Sequence, residues 1–226
     1  MELMKCWEDN MDHDLLTLFN KMDSITYNHS VRVMRLAREV EEYYNLGDTL
    51  LSEAALLHDI GKIYVSSKIL DKISRLSDLE RILVNLHPYI GYRILKEFDL
   101  PEDICRIVLY HHGINPPVLE VLPEFDDNRI FDRALMLHSI DSFEALTSDR
   151  PYHRGFLASE ALDIMLREKN HHQAVLDFLI MQMESDESDR ESVVFRHKSN
   201  SNSVMIDSIF NKLVYRKDPG EVAVAI

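Results

Sequence analysis

Glycine is scarce in this chain: six among 226 residues, under half the usual share of about 7%. That scarcity excludes turn-rich β architectures, and no Gly-rich loop of the GxGxxG or Walker A type is present to cradle a phosphate. Cysteine occurs twice, at Cys6 and Cys105, so no disulfide framework is expected and a reducing cytoplasm is the expected setting. Long apolar runs are missing too. The longest is VAVAI at 222–226, so membrane insertion is not expected. The first residues, MELMKCWEDNMDHD, are acidic where a signal peptide would be basic and then apolar. Basic residues are outnumbered, 25 Lys+Arg against 39 Asp+Glu, a net charge of -14 that speaks against DNA or RNA duplex binding. What the chain has in excess is histidine, eleven in all.

Apolar periodicity is helical almost throughout, so the fold class is all-α. Val33, Leu36, Ala37, Val40 and Tyr44 trace one helical face, with Gly47 as the expected stop. AALLHDIGK reads as a short buried helix ending at Gly61. Leu79, Ile82, Leu83, Leu86, Ile90 and Ile94 share a face that Pro88 must kink or restart. Pro101 opens a helix leading to His111 and His112. The proline-rich stretch from Ile114 to Asn128 reads as a loop. Further helices are expected over about 130–146, 158–169 and 173–183. The organisation is therefore an N-terminal segment 1–14, a domain at 15–183, a polar linker at 184–204 and a short tail at 205–226. In that tail Met205, Ile206, Ile209, Phe210 and Leu213 fall on one helical side, a pattern suited to docking on the domain, on a partner protein or on a second copy.

The histidines recur on these apolar faces. His29 precedes Val33, Leu36 and Val40 by 4, 7 and 11 residues; His58 ends the stripe of Leu51, Ala54 and Ala55, with Asp59 beside it. His87 lies four past Leu83, His111 four past Ile107, and Asp141 four past Leu137. One buried histidine is ordinarily a core residue bonded to a carbonyl. Five such sites with two carboxylates would be very costly to bury unpartnered. Metal binding removes that cost. The donor set suits Fe, Mn, Zn or Ni, and five imidazoles with two carboxylates exceed one ion but suit two that share a bridging carboxylate.

These residues carry a resemblance. LLHDIGK at 56–62 resembles the signature of HD-domain metal-dependent phosphohydrolases. HSVRV at 29–33, HPYIGYRIL at 87–95, YHH at 110–112 and DSFEALTSDRPY at 141–152 narrow it to the HD-GYP subgroup, phosphodiesterases of cyclic di-GMP. The resemblance implies a helical bundle with a dinuclear centre. His29, His58, Asp59 and Asp141 would hold one metal, and Asp59 would bridge to a second held by His87, His111 and His112. A hydroxide between two divalent ions, Fe or Mn first and Zn or Ni next, would attack phosphorus. Lys62 and Arg150 would contact the phosphodiester; their other readings are a helix C-cap cation and a surface turn residue. The chain departs from the subgroup where GINPPVLEVLPEF follows His112 in place of the GYP loop. Ile25 stands where some members carry the glutamate of a third metal site. Cyclic di-AMP, or another nucleotide, is the alternative substrate. A cyclic-dinucleotide receptor or scaffold without turnover is the rival from another class, and a di-iron oxygenase is disfavoured by Lys62 and DRPY. His138 is read as packing or as lying behind the ligands, and His171 and His172 as capping or solvated.

Overall fold

The computed structural model describes residues 15–113, 126–149 and 154–186, and the described residues contain no strand. Helix α1 (Leu15–Phe19) leads into α2 (Ser24–Tyr44), whose start is fixed by Asp23: its carboxylate accepts from the Ile25 and Thr26 amides at 3.0 and 2.9 Å. The stop comes two residues before the expected glycine, at Asn45, which takes the left-handed conformation with φ 47°. Asparagine tolerates that region better than most side-chain-bearing residues.

Helix α3 (Leu50–Leu57) is buried at every residue and forms the axis of the molecule, packed by α2, α7 (Glu102–Tyr110) and α8 (Asn128–Thr147). A buried carboxylate ties its first turn to α2: Glu41 accepts from the Ser52 amide at 2.8 Å and the Ser52 hydroxyl at 2.7 Å. Leu51, Ala54, Ala55, Leu56 and Leu57 are fully enclosed. Each large side chain so buried stabilises the fold by about 1.5–3 kcal/mol before entropy is counted.

The buried helix ends at Leu57, short of Gly61. His58 caps it, and residues Ile60–Tyr64 continue as a 3-10 turn. Gly61 has a packing role instead: a Cβ there would sit 2.1 Å from the His87 carbonyl oxygen. Only glycine lets the turn lie so close to α6 (His87–Glu97). Before α6 come the short α4 (Ser67–Leu70) and α5 (Asp78–Asn85). Pro88 restarts the chain as expected, occupying the first turn of α6. The apolar face read across it is divided, however. Ile90 and Ile94 are buried, whereas Leu79, Ile82 and Leu83 are exposed.

Helices α9 (Ala158–Glu168) and α10 (Gln173–Asp186) close the bundle against α8. The last runs three residues beyond Met183, into the stretch expected as linker. The Tyr44 hydroxyl donates to the Ala174 carbonyl at 2.8 Å, joining α10 to α2. No helix among the described residues is long and apolar enough to cross a membrane. The N-terminal segment 1–14, most of the loop after Gly113 and the tail 205–226 lie outside the described residues.

Candidate metal centre

Five elements deliver polar side chains to one point beside the core. His29 comes from the second turn of α2, His58 and Asp59 from the end of α3, His87 from the start of α6, His111 and His112 from the end of α7, and Asp141 from the middle of α8. Three local groups of possible ligand atoms result: His29, His58 and Asp59; His87, His111 and His112; and His58, His111 and Asp141. His58, Asp59, His87 and His111 are buried, and His112 stands at the exposed edge.

The backbone orients three of the rings alike. His58 Nδ1 lies 2.8 Å from the Ala55 carbonyl, His87 Nδ1 2.7 Å from Val84 and His111 Nδ1 2.6 Å from Val108. Each Nδ1 therefore carries the proton that it donates three residues back, which leaves the Nε2 lone pair facing the centre. His58 Nε2 is buried with no hydrogen-bond partner. His87 Nε2 and His111 Nε2 face one another at 3.3 Å, two acceptors with no proton between them. This arrangement is unfavourable on its own and fits a shared electrophile, so the residues present suit divalent cations.

Asp59 stands between the groups. Its Oδ2 is 3.5 Å from His58 Nε2 and 3.8 Å from His29 Nε2, while its Oδ1 is 3.3 Å from His87 Nε2. One oxygen thus serves each side, as a bridging carboxylate requires. Burial alone would raise its pKa, but His58, Lys62, His87 and His29 hold the carboxyl well below its usual range. Burial likewise opposes ionisation of Asp141, and the His29 hydrogen bond outweighs it to keep that carboxyl low. Lys62 places its ammonium 2.7 Å from Asp59 Oδ2. His87 is pushed down to about 3, by burial first, and burial and the neighbouring imidazoles also lower His111.

His29 behaves differently. Its Nε2 lies 2.9 Å from Asp141 Oδ1, and its Nδ1 bonds to Glu144. Burial disfavours charge on this ring, yet the two hydrogen bonds raise its pKa to about 10. Glu144 was not among the residues expected from sequence. It is buried and also bonds Arg32 and Ser148, so its carboxylate is fixed in place behind the ring. The signal available was its position three past Asp141, on the same side of α8. His138 stacks on His171 with centroids 5.2 Å apart, and His138 lies 6.1 Å from the His112 ring. The His171 side chain is enclosed rather than solvated, whereas His172 pairs with Asp132 at 2.9 Å. Arg150 lies outside the described residues. Ile25, one turn before His29, is half exposed and brings no carboxylate to the centre.

Comparison with known proteins places this geometry. A cyclic di-GMP phosphodiesterase of Pseudomonas aeruginosa is 37% identical over 160 residues, 66% of this chain and 37% of that protein. A 3'3'-cGAMP-specific phosphodiesterase of Vibrio cholerae is 30% identical over 178 residues, 71% of this chain and 36% of that protein. The chain thus spans little more than a third of the length of these relatives. Among solved structures, the HD domain of the Listeria monocytogenes phosphodiesterase PgpH matches with a TM-score of 0.55 at 19% identity, covering 75% of this chain and 98% of that one, a likeness of fold. The family model described as HD domain matches residues 26–146, more than half of the chain and every one of the seven clustered histidines and aspartates. The chain belongs to the HD domain family.

Proposed function

We propose that this chain is a metal-dependent phosphodiesterase that hydrolyses a cyclic dinucleotide, cyclic di-GMP foremost. The observation that carries this reading is Asp59, whose two oxygens face separate groups of inward-turned Nε2 atoms. In this reading His29, His58, Asp59 and Asp141 hold one divalent ion, and Asp59, His87, His111 and His112 hold another. Imidazole and carboxylate donors suit iron or manganese first, with zinc or nickel next. Two such ions, when bound, supply an activated water and neutralise charge developing at phosphorus.

The remaining work falls to the chain itself. The carbonyls of Ala55, Val84 and Val108 hold three rings in one tautomer, and Glu144 does the same for His29 from the other side. Ligands fixed in this way need no reorganisation when substrate arrives. Lys62 brings a cation to the edge of the centre, where it meets the non-bridging phosphate oxygens; Arg150 is assigned a second such contact. Cyclic di-GMP heads the substrates because the Pseudomonas relative bears that name. The cGAMP specificity named for the Vibrio relative, together with the altered loop after His112, makes cyclic di-AMP and mixed dinucleotides the comparison set. We place the chain in the cytoplasm, in keeping with its two cysteines and the buried Cys105 thiol, which burial pushes up to about 12.

The test is turnover of cyclic di-GMP, cGAMP and cyclic di-AMP by the full chain loaded with manganese or iron. A linear dinucleotide or mononucleotide product, lost in Asp59→Ala, is the expected result. Tight dinucleotide binding without turnover under every metal would overturn the enzyme reading in favour of a receptor.

A further inference from the structure

Four of the ten large apolar side chains exposed among the described residues fall between residues 73 and 83. Ile73 is 71% exposed, Leu79 67%, Ile82 56% and Leu83 43%. No residue from 66 to 86 is buried. Yet α5 is a specified helix rather than an incidental turn. The Ser77 hydroxyl accepts from the Glu80 amide at 3.3 Å, and the Glu80 carboxylate accepts from the Ser77 amide at 2.7 Å, a reciprocal cap. An eight-residue helix with no fully buried residue is marginal in water, and a covering surface would stabilise it.

We propose that the apolar face of α5 is the docking site of this chain's own segment 204–215. Leu79, Ile82 and Leu83 follow the spacing i, i+3, i+4, while Leu86, just past the helix, is partly buried against the core; Met205, Ile206, Ile209, Phe210 and Leu213 follow i, i+1, i+4, i+5, i+8. Both stripes carry helical spacing and would pair as two helical faces. Seventeen residues separate Asp186, the end of α10, from Val204. Extended, they reach about 60 Å, against a radius of gyration of roughly 15 Å for a domain of this size, so the segment can arrive at any face. The consequence reaches the metal centre, because the Val84 carbonyl in the last turn of α5 fixes the His87 ring at 2.7 Å.

Backbone amide exchange of the full chain tests this, comparing wild type with Ile209→Asp/Phe210→Asp. The expected result is exchange over 79–86 faster by on the order of tenfold in the variant, with α3 and α7 unchanged and a monomeric mass by sedimentation in both. The reciprocal variant, Ile82→Asp/Leu83→Asp, alters side chains that already face water and should speed exchange over 204–215. Unchanged exchange at both places overturns the proposal. Protection over 79–86 that disappears on dilution together with a dimer overturns it as well, and assigns the face to a second copy.

Discussion

Glu144 decides what His29 can be. A ring held between Asp141 and Glu144 keeps a proton on Nδ1, which in the proposed centre leaves Nε2 as the atom that would change between proton and metal. Glu144→Gln retains the shape but weakens the hold on Nδ1; metal affinity is expected to fall about 10- to 100-fold, read by competition with a chelating dye. The same geometry gives a proton count. With its pKa raised to about 10, His29 is charged at pH 7 in the metal-free protein and must release a proton to bind through Nε2. Calorimetric metal titrations in two buffers of different ionisation enthalpy should give observed heats that differ by net proton release at pH 7 and pH 8; identical observed heats in the two buffers would contradict it.

His87 and His111 act in the opposite sense. Their folded pKa values lie below the unfolded value of about 6.5, so as pH falls the unfolded chain takes up protons that the native rings refuse. The lowered Asp59 and Asp141 add loss in the same direction below about 4, while the raised His29 contributes stability that is lost only as pH rises towards 10. The metal-free protein is therefore expected to lose stability steadily from about pH 6.5 downwards, seen as a falling urea midpoint. His29, His58, His87, His111 and Asp141 are legible in the sequence because each sits on an apolar stripe at helical spacing, and Asp59 and His112 because they adjoin two of these. Glu144 was not singled out, since its meaning depends on His29, 115 positions away.

Elements meet where the chain has no side chain to spare. Gly61 lets the 3-10 turn touch α6 at the His87 carbonyl, so the turn carrying Lys62 and the helix carrying His87 are held as one piece. Gly61→Ala must push them apart. An overpacking cost of about 1–3 kcal/mol is expected in urea unfolding, with weakened metal retention because His87 moves with its helix. In the sequence Gly61 looked like a helix stop, which accounts for its presence near a helix end but not for its closeness to α6. The stop of α2 was similarly displaced to Asn45, because either residue can take the left-handed turn. The face shared by Leu79 and Ile94 was read as one stripe, since periodicity records amphipathic spacing without saying which stripe the core receives. Pro88 breaks the helix between them and turns only the second half inward.

At the scale of the molecule, a net charge of -14 sits with a site proposed for an anionic substrate. The two fit because local charge, not the total, governs the ligand: two divalent ions with Lys62 would reverse the sign at one point of an acidic surface. The scarcity of glycine fits the proposal as well, for in it metals take the place of a Gly-rich loop in meeting phosphate. The chain spans little more than a third of the curated relatives it matches, so the dinuclear centre, rather than any flanking region, carries the account. The most direct measurement is the metal content of the purified full chain, by mass spectrometry after reconstitution with iron, manganese or zinc. Two ions per chain are expected, falling to one or none in Asp59→Ala. A wild-type chain that retains no stoichiometric metal under any of these conditions would contradict the central claim.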